Sequence, residues 1–209
     1  MYLRTEGVIL KRKNFGEADR ILTIFTRDFG KVSCLAKGVR RPRSKKAGHL
    51  ELGNWCKVFL ARGKNLDLLT EVELKRAFGI SHFTEQKANR IYHILELVNS
   101  LTAEHQKNRE VFILLVHFLK KAEQEEDFNL VSSVFKIKLL STLGFFSSHS
   151  LPKGKNRDVI TILEAEDFDF IKDSIRLTQQ SYLKLLSFLD SMIESVSEQE
   201  LRTLKFLNG

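Results

Sequence analysis

The sequence predicts an α+β protein, with a small β-barrel at the amino-terminal end followed by an all-α helical region. Two observations predict this class. Apolar residues alternate with a period of two up to about residue 76, and from about residue 83 they recur every three or four residues. A chain of 209 residues can form one large domain or two modest ones, and we place the boundary between regions 1–79 and 80–209.

The first region contains five short runs with the composition of β-strands. They are rich in β-branched, aromatic and aliphatic residues, and clusters of Gly, Asn and Asp separate them. The runs span residues 2–13, 20–27, 31–37, 50–62 and 66–75. In the last run, alternation places Leu66, Leu68, Thr70, Val72 and Leu74 on one face. Closure into a barrel would remove the open strand edges, and the pattern fits both a Greek-key barrel of the OB type and an SH3-like barrel.

The second region has the spacing of amphipathic helices. The predicted helices span residues 83–103, 109–126, 129–143, 174–196 and 198–207. Asn129 is expected to cap the third of these, and Gly144 to end it. Residues 147–157 have the composition of a long loop, and residues 159–163 that of a short strand or extended segment.

Positive charge is concentrated in the first region. Residues 1–79 contain 18 Lys and Arg against 8 Asp and Glu, a net charge of +10, whereas residues 80–209 have a net charge of −2; together they give the +8 of the whole chain. Such asymmetry between two parts of a chain indicates a nucleic acid or another anionic partner.

Six basic residues fall within ten positions in the run Lys37-Gly-Val-Arg-Arg-Pro-Arg-Ser-Lys-Lys46. Gly and Pro interrupt the run, so a loop between the third and fourth strands is expected. Arg offers a bidentate fork to phosphate and Lys a point charge, so these side chains are the predicted phosphate contacts. They are Lys37, Arg40, Arg41, Arg43, Lys45 and Lys46, with Arg12, Arg20 and Arg27 as weaker candidates. Phe15 lies in a polar turn and is the predicted stacking platform for a base.

No catalytic, nucleotide-binding or metal motif is found in the sequence, so we expect a protein that is not an enzyme and has no cofactor. There is no G-x-x-x-x-G-K-[ST] and no H-E-x-x-H, and the six histidines are scattered. Cys34 and Cys56 lie in apolar runs without a C-x-x-C pair, which is typical of buried thiols. No leader sequence or long apolar run is apparent, so a cytoplasmic location is expected.

Four motifs follow one another in the first region: Glu6-Gly-Val-Ile-Leu10, Phe15-Gly-Glu-Ala-Asp-Arg20, Phe25-Thr-Arg-Asp-Phe-Gly-Lys31 and Ala36-Lys-Gly-Val-Arg-Arg41. A further motif, Leu139-Leu-Ser-Thr-Leu-Gly-Phe145, lies in the second region. The four ordered motifs resemble the RecO family of bacterial recombination mediators, and the later one looks like the family's helix-ending motif. The resemblance implies an OB-fold and a helical domain, binding of single- and double-stranded DNA, and annealing of complementary strands without ATP. It also implies the partners RecR and single-strand-binding protein, loading of RecA, and a nucleoid-associated location.

The sequence departs from that family at one place. Many members carry a four-cysteine zinc site after the Leu-Gly-Phe motif, and residues 146–158 of this chain contain no cysteine, so no metal is expected. Lys136 and Lys138 are basic residues near an apolar helical surface that an acidic tail of a partner could reach. Two other functions stay open at this stage, an RNA-binding OB protein and a non-enzymatic interaction scaffold.

Overall fold

A computed structural model of the protein describes residues 1–124, 127–197 and Thr203. The first region forms five strands, β1 (Tyr2–Phe15), β2 (Asp19–Thr26), β3 (Gly30–Ala36), β4 (Trp55–Ala61) and β5 (Asp67–Arg76). They close into a barrel in the order β1-β2-β3-β5-β4, with β4 returning to β1. All pairings are antiparallel except that of β3 with β5. The predicted α+β class and the five-stranded OB-type barrel are therefore confirmed.

The barrel interior follows the predicted alternation in β3 and departs from it in β5. Val32, Cys34 and Ala36 are buried, as a period of two requires. In β5 the register shifts, because Phe59 pairs with Glu71 whereas Leu60 pairs with Leu69. One extra residue in a strand exchanges the inward-facing and outward-facing side chains on one side of that position, so Leu69 lies in the barrel core. The prediction that Leu68 and Thr70 share the face of Val72 is wrong for this reason.

The fourth strand also begins later than predicted. Gly48–Leu50 forms a short 3-10 helix, and the fully buried side chain of Leu50 fills the barrel core. Gly53, with a φ of 80°, then turns the chain into β4, and its N–H donates to the Ile9 carbonyl at 2.8 Å. The left-handed conformation that this turn needs is one that glycine adopts without cost.

The second region is helical, as predicted. It contains α1 (Glu85–Leu101), α2 (Arg109–Gln124), α3 (Phe128–Thr142), α4 (Lys155–Ala165), α5 (Phe168–Ser174) and α6 (Gln179–Val196). The central helix is α3, which contacts all the other helices and has most of its residues buried. The described helices include none that is long and apolar enough to cross a membrane.

Two predictions about the helices need correction here. Asp127, not Asn129, caps α3, because its Oδ1 accepts the Leu130 N–H at 3.1 Å. Residues 159–163, predicted as extended, lie within α4, where Leu163 is fully buried. Tertiary packing of this amphipathic segment overrides the strand preference of its Val and Ile residues.

The start of a later helix also differs from its prediction. The helix expected from residue 174 begins at Gln179, where Thr178 accepts the Ser181 N–H at 3.2 Å, and the shorter α5 precedes it. The helix predicted at 198–207 lies outside the described residues, except for Thr203.

The connection between α1 and α2 runs along β3. The His105 N–H donates to the Lys31 carbonyl at 2.9 Å, and the Lys31 Nζ donates to the Asn99 carbonyl at 2.5 Å. Gly30, with a φ of 67°, lies so close that a Cβ atom there would be 2.1 Å from the Gln106 carbonyl oxygen. These contacts fasten the helical region to the barrel.

The barrel and the helices also share apolar surface. Val8, Leu10 and Phe25 are buried in the same hydrophobic cluster as the buried faces of the helices. The division into regions 1–79 and 80–209 stays a prediction, and residue 79 lies in the connection between β5 and the helical region.

Candidate nucleic-acid interface

The basic loop, residues 37–46, leads from β3 toward the 3-10 helix as a series of tight turns. The Arg41 N–H donates to the Gly38 carbonyl at 3.1 Å, and the Ser44 N–H donates to the Arg41 carbonyl at 2.9 Å. Lys46 is half-buried, and its Nζ donates to the Thr70 carbonyl at 2.5 Å. The exposed basic side chains of the loop are Lys37, Arg40, Arg41, Arg43 and Lys45.

The β1–β2 turn, residues 16–18, is bonded to the start of this loop. The Arg40 N–H donates to the Ala18 carbonyl at 2.8 Å, and the Arg40 Nη1 donates to the Gly16 carbonyl at 3.3 Å. The Gly38 N–H donates to Asp19 Oδ1 at 2.7 Å. Between them, Val39 is fully buried in the barrel core. The loop is therefore attached at several points, and its cations project from a fixed backbone.

Phe15 ends β1 beside this turn and is 52% exposed. Three other aromatic residues of the barrel are less available. Phe25 is fully buried, Phe59 lies under the Arg4 guanidinium at 5.3 Å, and Trp55 lies near the ammonium groups of Lys75 and Lys120. Phe15 is therefore partly exposed beside the turn to which the basic loop is bonded.

Arg12 and Arg20 lie at the same end of the barrel, because Arg20 pairs with Ala36, the residue before the loop. Both are near Glu51: Arg12 forms a salt bridge with its carboxylate, and the Arg20 Nη1 is 3.9 Å from Glu51 Oε1. Their charges are therefore partly compensated by this carboxylate.

Arg27 directly follows the other end of β2. It is seven positions from Arg20, which corresponds to about 23 Å at the usual rise per residue. Its Nε is 3.3 Å from Asp28 Oδ1, and its Nη1 is 3.9 Å from Glu6 Oε1. Although burial opposes it, hydrogen bonds from Thr5 and Arg27 lower the pKa of Asp28. The structure does not bring Arg27 together with the basic loop.

The two helical lysines do not form a surface for an acidic tail. Lys136 is buried, its Nζ is 3.4 Å from Asp190 Oδ1, and burial lowers its pKa. The Lys138 Nζ donates to the Glu164 carbonyl at 2.8 Å. The prediction that Lys136 is a surface residue is wrong. The apolar helical pattern could not show that Asp190 pairs with the buried ammonium group of Lys136.

The segment that follows α3 is held by a carboxylate. Glu164 of α4 accepts hydrogen bonds from the Ser141 hydroxyl at 2.5 Å and from the Ser148 N–H at 2.9 Å. The residues after Gly144 do not fit the family's zinc site, because they include no cysteine. Within the described parts of the chain, no three His, Cys, Asp or Glu residues are grouped as metal ligands.

Sequence reasoning missed Asp19 and Val39, which help to fix the loop, and it used Gly38 only as a break in regular structure. Gly38, with a φ of 64°, carried the available signal, because an isolated glycine beside charged residues often marks a turn that needs a left-handed conformation. The partner of its N–H could not be inferred, since Asp19 is 19 positions away.

A closed OB-type barrel with an exposed, fixed cationic loop defines the class of nucleic-acid-binding barrel proteins. Comparison with known proteins gives the particular family. Residues 1–78 match the family described as recombination protein O N terminal, and residues 91–148 match recombination protein O C terminal.

Similarity to individual relatives indicates the same family. The DNA repair protein RecO of Acetivibrio thermocellus is 30% identical over 82% of this chain and 67% of its own length. That of Rubrobacter xylanophilus is 38% identical over 68% of this chain and 57% of its own length. That of Symbiobacterium thermophilum is 34% identical over 67% of this chain and 56% of its own length. The chain belongs to the RecO family, although it spans little more than half the length of most of these relatives.

Proposed function

We propose that the protein is a DNA-binding mediator of recombinational repair, and that the basic loop and the β1–β2 turn form its DNA contact. The single observation that supports this most is the attached loop with exposed cations beside Phe15. Phosphate contacts supply most of the affinity of such surfaces, and an exposed aromatic ring adds stacking on an unpaired base. Contacts of this kind carry little sequence preference, and they suit both single- and double-stranded DNA.

The proposed activity is annealing of complementary strands without ATP. Two single strands repel each other through their phosphates, and a cationic surface that neutralises part of this charge lowers the barrier to pairing. Base pairing then supplies the free energy, so no bond chemistry is needed. The loop suits this role because its arginines bind phosphate while the base edges stay available for pairing.

Membership of the RecO family supports further proposals about partners. They are action with RecR, contact with single-strand-binding protein, help in loading RecA onto coated strands, and a cytoplasmic, nucleoid-associated location. No chemical reaction is proposed for the protein itself.

The test is a salt titration of binding to a labelled single strand, combined with an annealing assay. If the five exposed cations of the loop contact phosphates, the slope of log K against log salt includes about −3.5 from them, at roughly −0.7 for each contact. Replacing Arg40, Arg41 and Arg43 with Ala should reduce the slope by about 2 and slow annealing clearly.

A matched control removes three cations from another part of the protein. Lys153, Lys155 and Arg157 lie in and before the first turn of α4, and their replacement with Ala changes the net charge equally. We expect this control to anneal DNA nearly as the parent protein does. Equal loss in both variants would indicate that overall charge, not the loop, governs binding.

The two alternative functions predict different outcomes. An RNA-binding protein would prefer an RNA oligomer to a DNA oligomer of the same sequence. A pure interaction scaffold would show no DNA binding at about 50 mM salt, or a response independent of salt, and either result would overturn the proposal.

A further inference from the structure

Asp19 is an acidic residue in the middle of the proposed DNA-binding surface. It is the first residue of β2, and its half-buried carboxylate accepts the Gly38 N–H at 2.7 Å. A carboxylate next to bound phosphates opposes binding by charge repulsion. Its presence there needs a reason that outweighs this repulsion.

The hydrogen bond fixes the place where the basic loop begins. Gly38 has a φ of 64°, a conformation that L side chains rarely adopt. The next residue, Val39, is fully buried, and the one after it, Arg40, bonds to the β1–β2 turn. Because Asp19 bonds to the backbone just before these anchors, it determines where the chain leaves β3 and how the following turns are oriented.

We propose that Asp19 is a positioning residue for DNA binding, an inference that rests on the proposed function of the basic loop. Its carboxylate holds the loop in the conformation in which Arg40, Arg41 and Arg43 project together into solvent. A preorganised loop avoids the entropy cost of ordering these side chains and their backbone when DNA binds. The acid therefore strengthens binding to a polyanion, although its charge alone would weaken it.

The proposal can be tested because positioning and charge predict opposite signs. If charge alone mattered, Asp19→Ala would remove a negative charge and tighten DNA binding. If Asp19 positions the loop, the same change should weaken single-strand binding by about tenfold, since several side chains would then be ordered only on binding. The salt slope should also become shallower, because fewer phosphates would be contacted at once.

Two further variants separate charge from hydrogen bonding. Glu71 is an exposed acid of β5, outside the proposed DNA contact, so Glu71→Ala removes the same charge from the barrel. We expect it to bind DNA as tightly as the parent protein or slightly more tightly, by less than about twofold. Asp19→Asn keeps an oxygen that can accept the Gly38 N–H, and it should stay within about twofold of the parent protein.

A variant with unchanged charge guards against a failure of Asp19→Ala to fold. Gly38→Ala places a Cβ at a φ of 64° and disturbs the same connection. It should weaken DNA binding in the same direction while the thermal midpoint shows that the barrel is folded.

Four results decide the matter. Asp19→Ala binding as tightly as the parent protein, or more tightly, would overturn the inference. So would an Asp19→Asn variant as weak as Asp19→Ala, or a folded Gly38→Ala variant with unchanged affinity. A parent protein that does not bind DNA would instead overturn the proposed function, so the two failures can be distinguished.

Discussion

Replacement of Gly30 with Ala tests the attachment of the helical region to the barrel. A Cβ at this position would lie 2.1 Å from the carbonyl oxygen and 2.5 Å from the carbonyl carbon of Gln106. These are backbone atoms, so no rotation of a side chain can relieve the contact. The α1–α2 connection would have to move by about 1 Å or more to restore an ordinary contact distance.

Two costs contribute to the expected effect. The left-handed conformation, at a φ of 67°, costs a non-glycine residue about 1–2 kcal/mol. Displacement of the connection also weakens the bond from the His105 N–H to the Lys31 carbonyl, and such a bond contributes about 0.5–1.5 kcal/mol. We expect a loss of about 1.5–3.5 kcal/mol in the free energy of unfolding, or about 3–14 °C in Tm for a chain of this size.

Gly16→Ala is the matched control. Gly16 also has a positive φ, 55°, but no atom lies within 4 Å of a Cβ built there. It should therefore show only the conformational cost of about 1–2 kcal/mol. The measurement is thermal and urea unfolding of both variants, with hydrogen exchange at the His105 amide as a local probe. Equal destabilisation by the two changes would refute the steric contact at Gly30.

Two other expectations concern the cysteines and Glu164. Burial raises the pKa of Cys34 and Cys56 to about 12, so both thiols should resist a thiol reagent at pH 8 until the barrel unfolds; rapid labelling of the folded protein would contradict this. Although burial opposes it, hydrogen bonds from Ser141 and Ser148 lower the pKa of Glu164. The stabilisation that the Glu164 carboxylate provides should be present at pH values above the ordinary carboxyl pKa, and it should be lost as the pH falls through the lowered pKa of Glu164. Glu164→Ala should therefore destabilise the protein by about 1–3 kcal/mol at pH 7 and progressively less in acid. A difference from the parent protein that does not depend on pH would count against this assignment.

The barrel was predictable because strand alternation is a local property of the chain. Residues 31–37 show it directly, and β3 covers nearly the same residues. The register of β5 was not predictable, because its bulge depends on how β4 pairs with it. The helix at residues 159–163 was missed for a related reason. The β-branched composition of this segment favours a strand, and its packing against α3 stabilises the helical conformation instead.

The candidate site was predictable in its composition and not in its geometry. Clustered charge and the Gly and Pro breaks located the basic loop and the exposed ring of Phe15. The attachment of that loop to the β1–β2 turn joins residues about 20 positions apart, and short sequence patterns carry no information on such a pairing. Arg27 shows the same limit of sequence patterns. It is a basic residue close to β2, but it lies at the end of that strand away from the basic loop.

The apolar surface that the barrel shares with the helices restricts how the protein can be divided. A fragment that ended at residue 79 would leave the side chains of Val8, Leu10 and Phe25 in water, at about 1.5–3 kcal/mol each. Such a fragment should aggregate or unfold even though its strands form a complete ring. DNA binding by the barrel is therefore best measured in the whole chain, and natural exchange of the two regions between relatives would require matched changes on both sides of this contact.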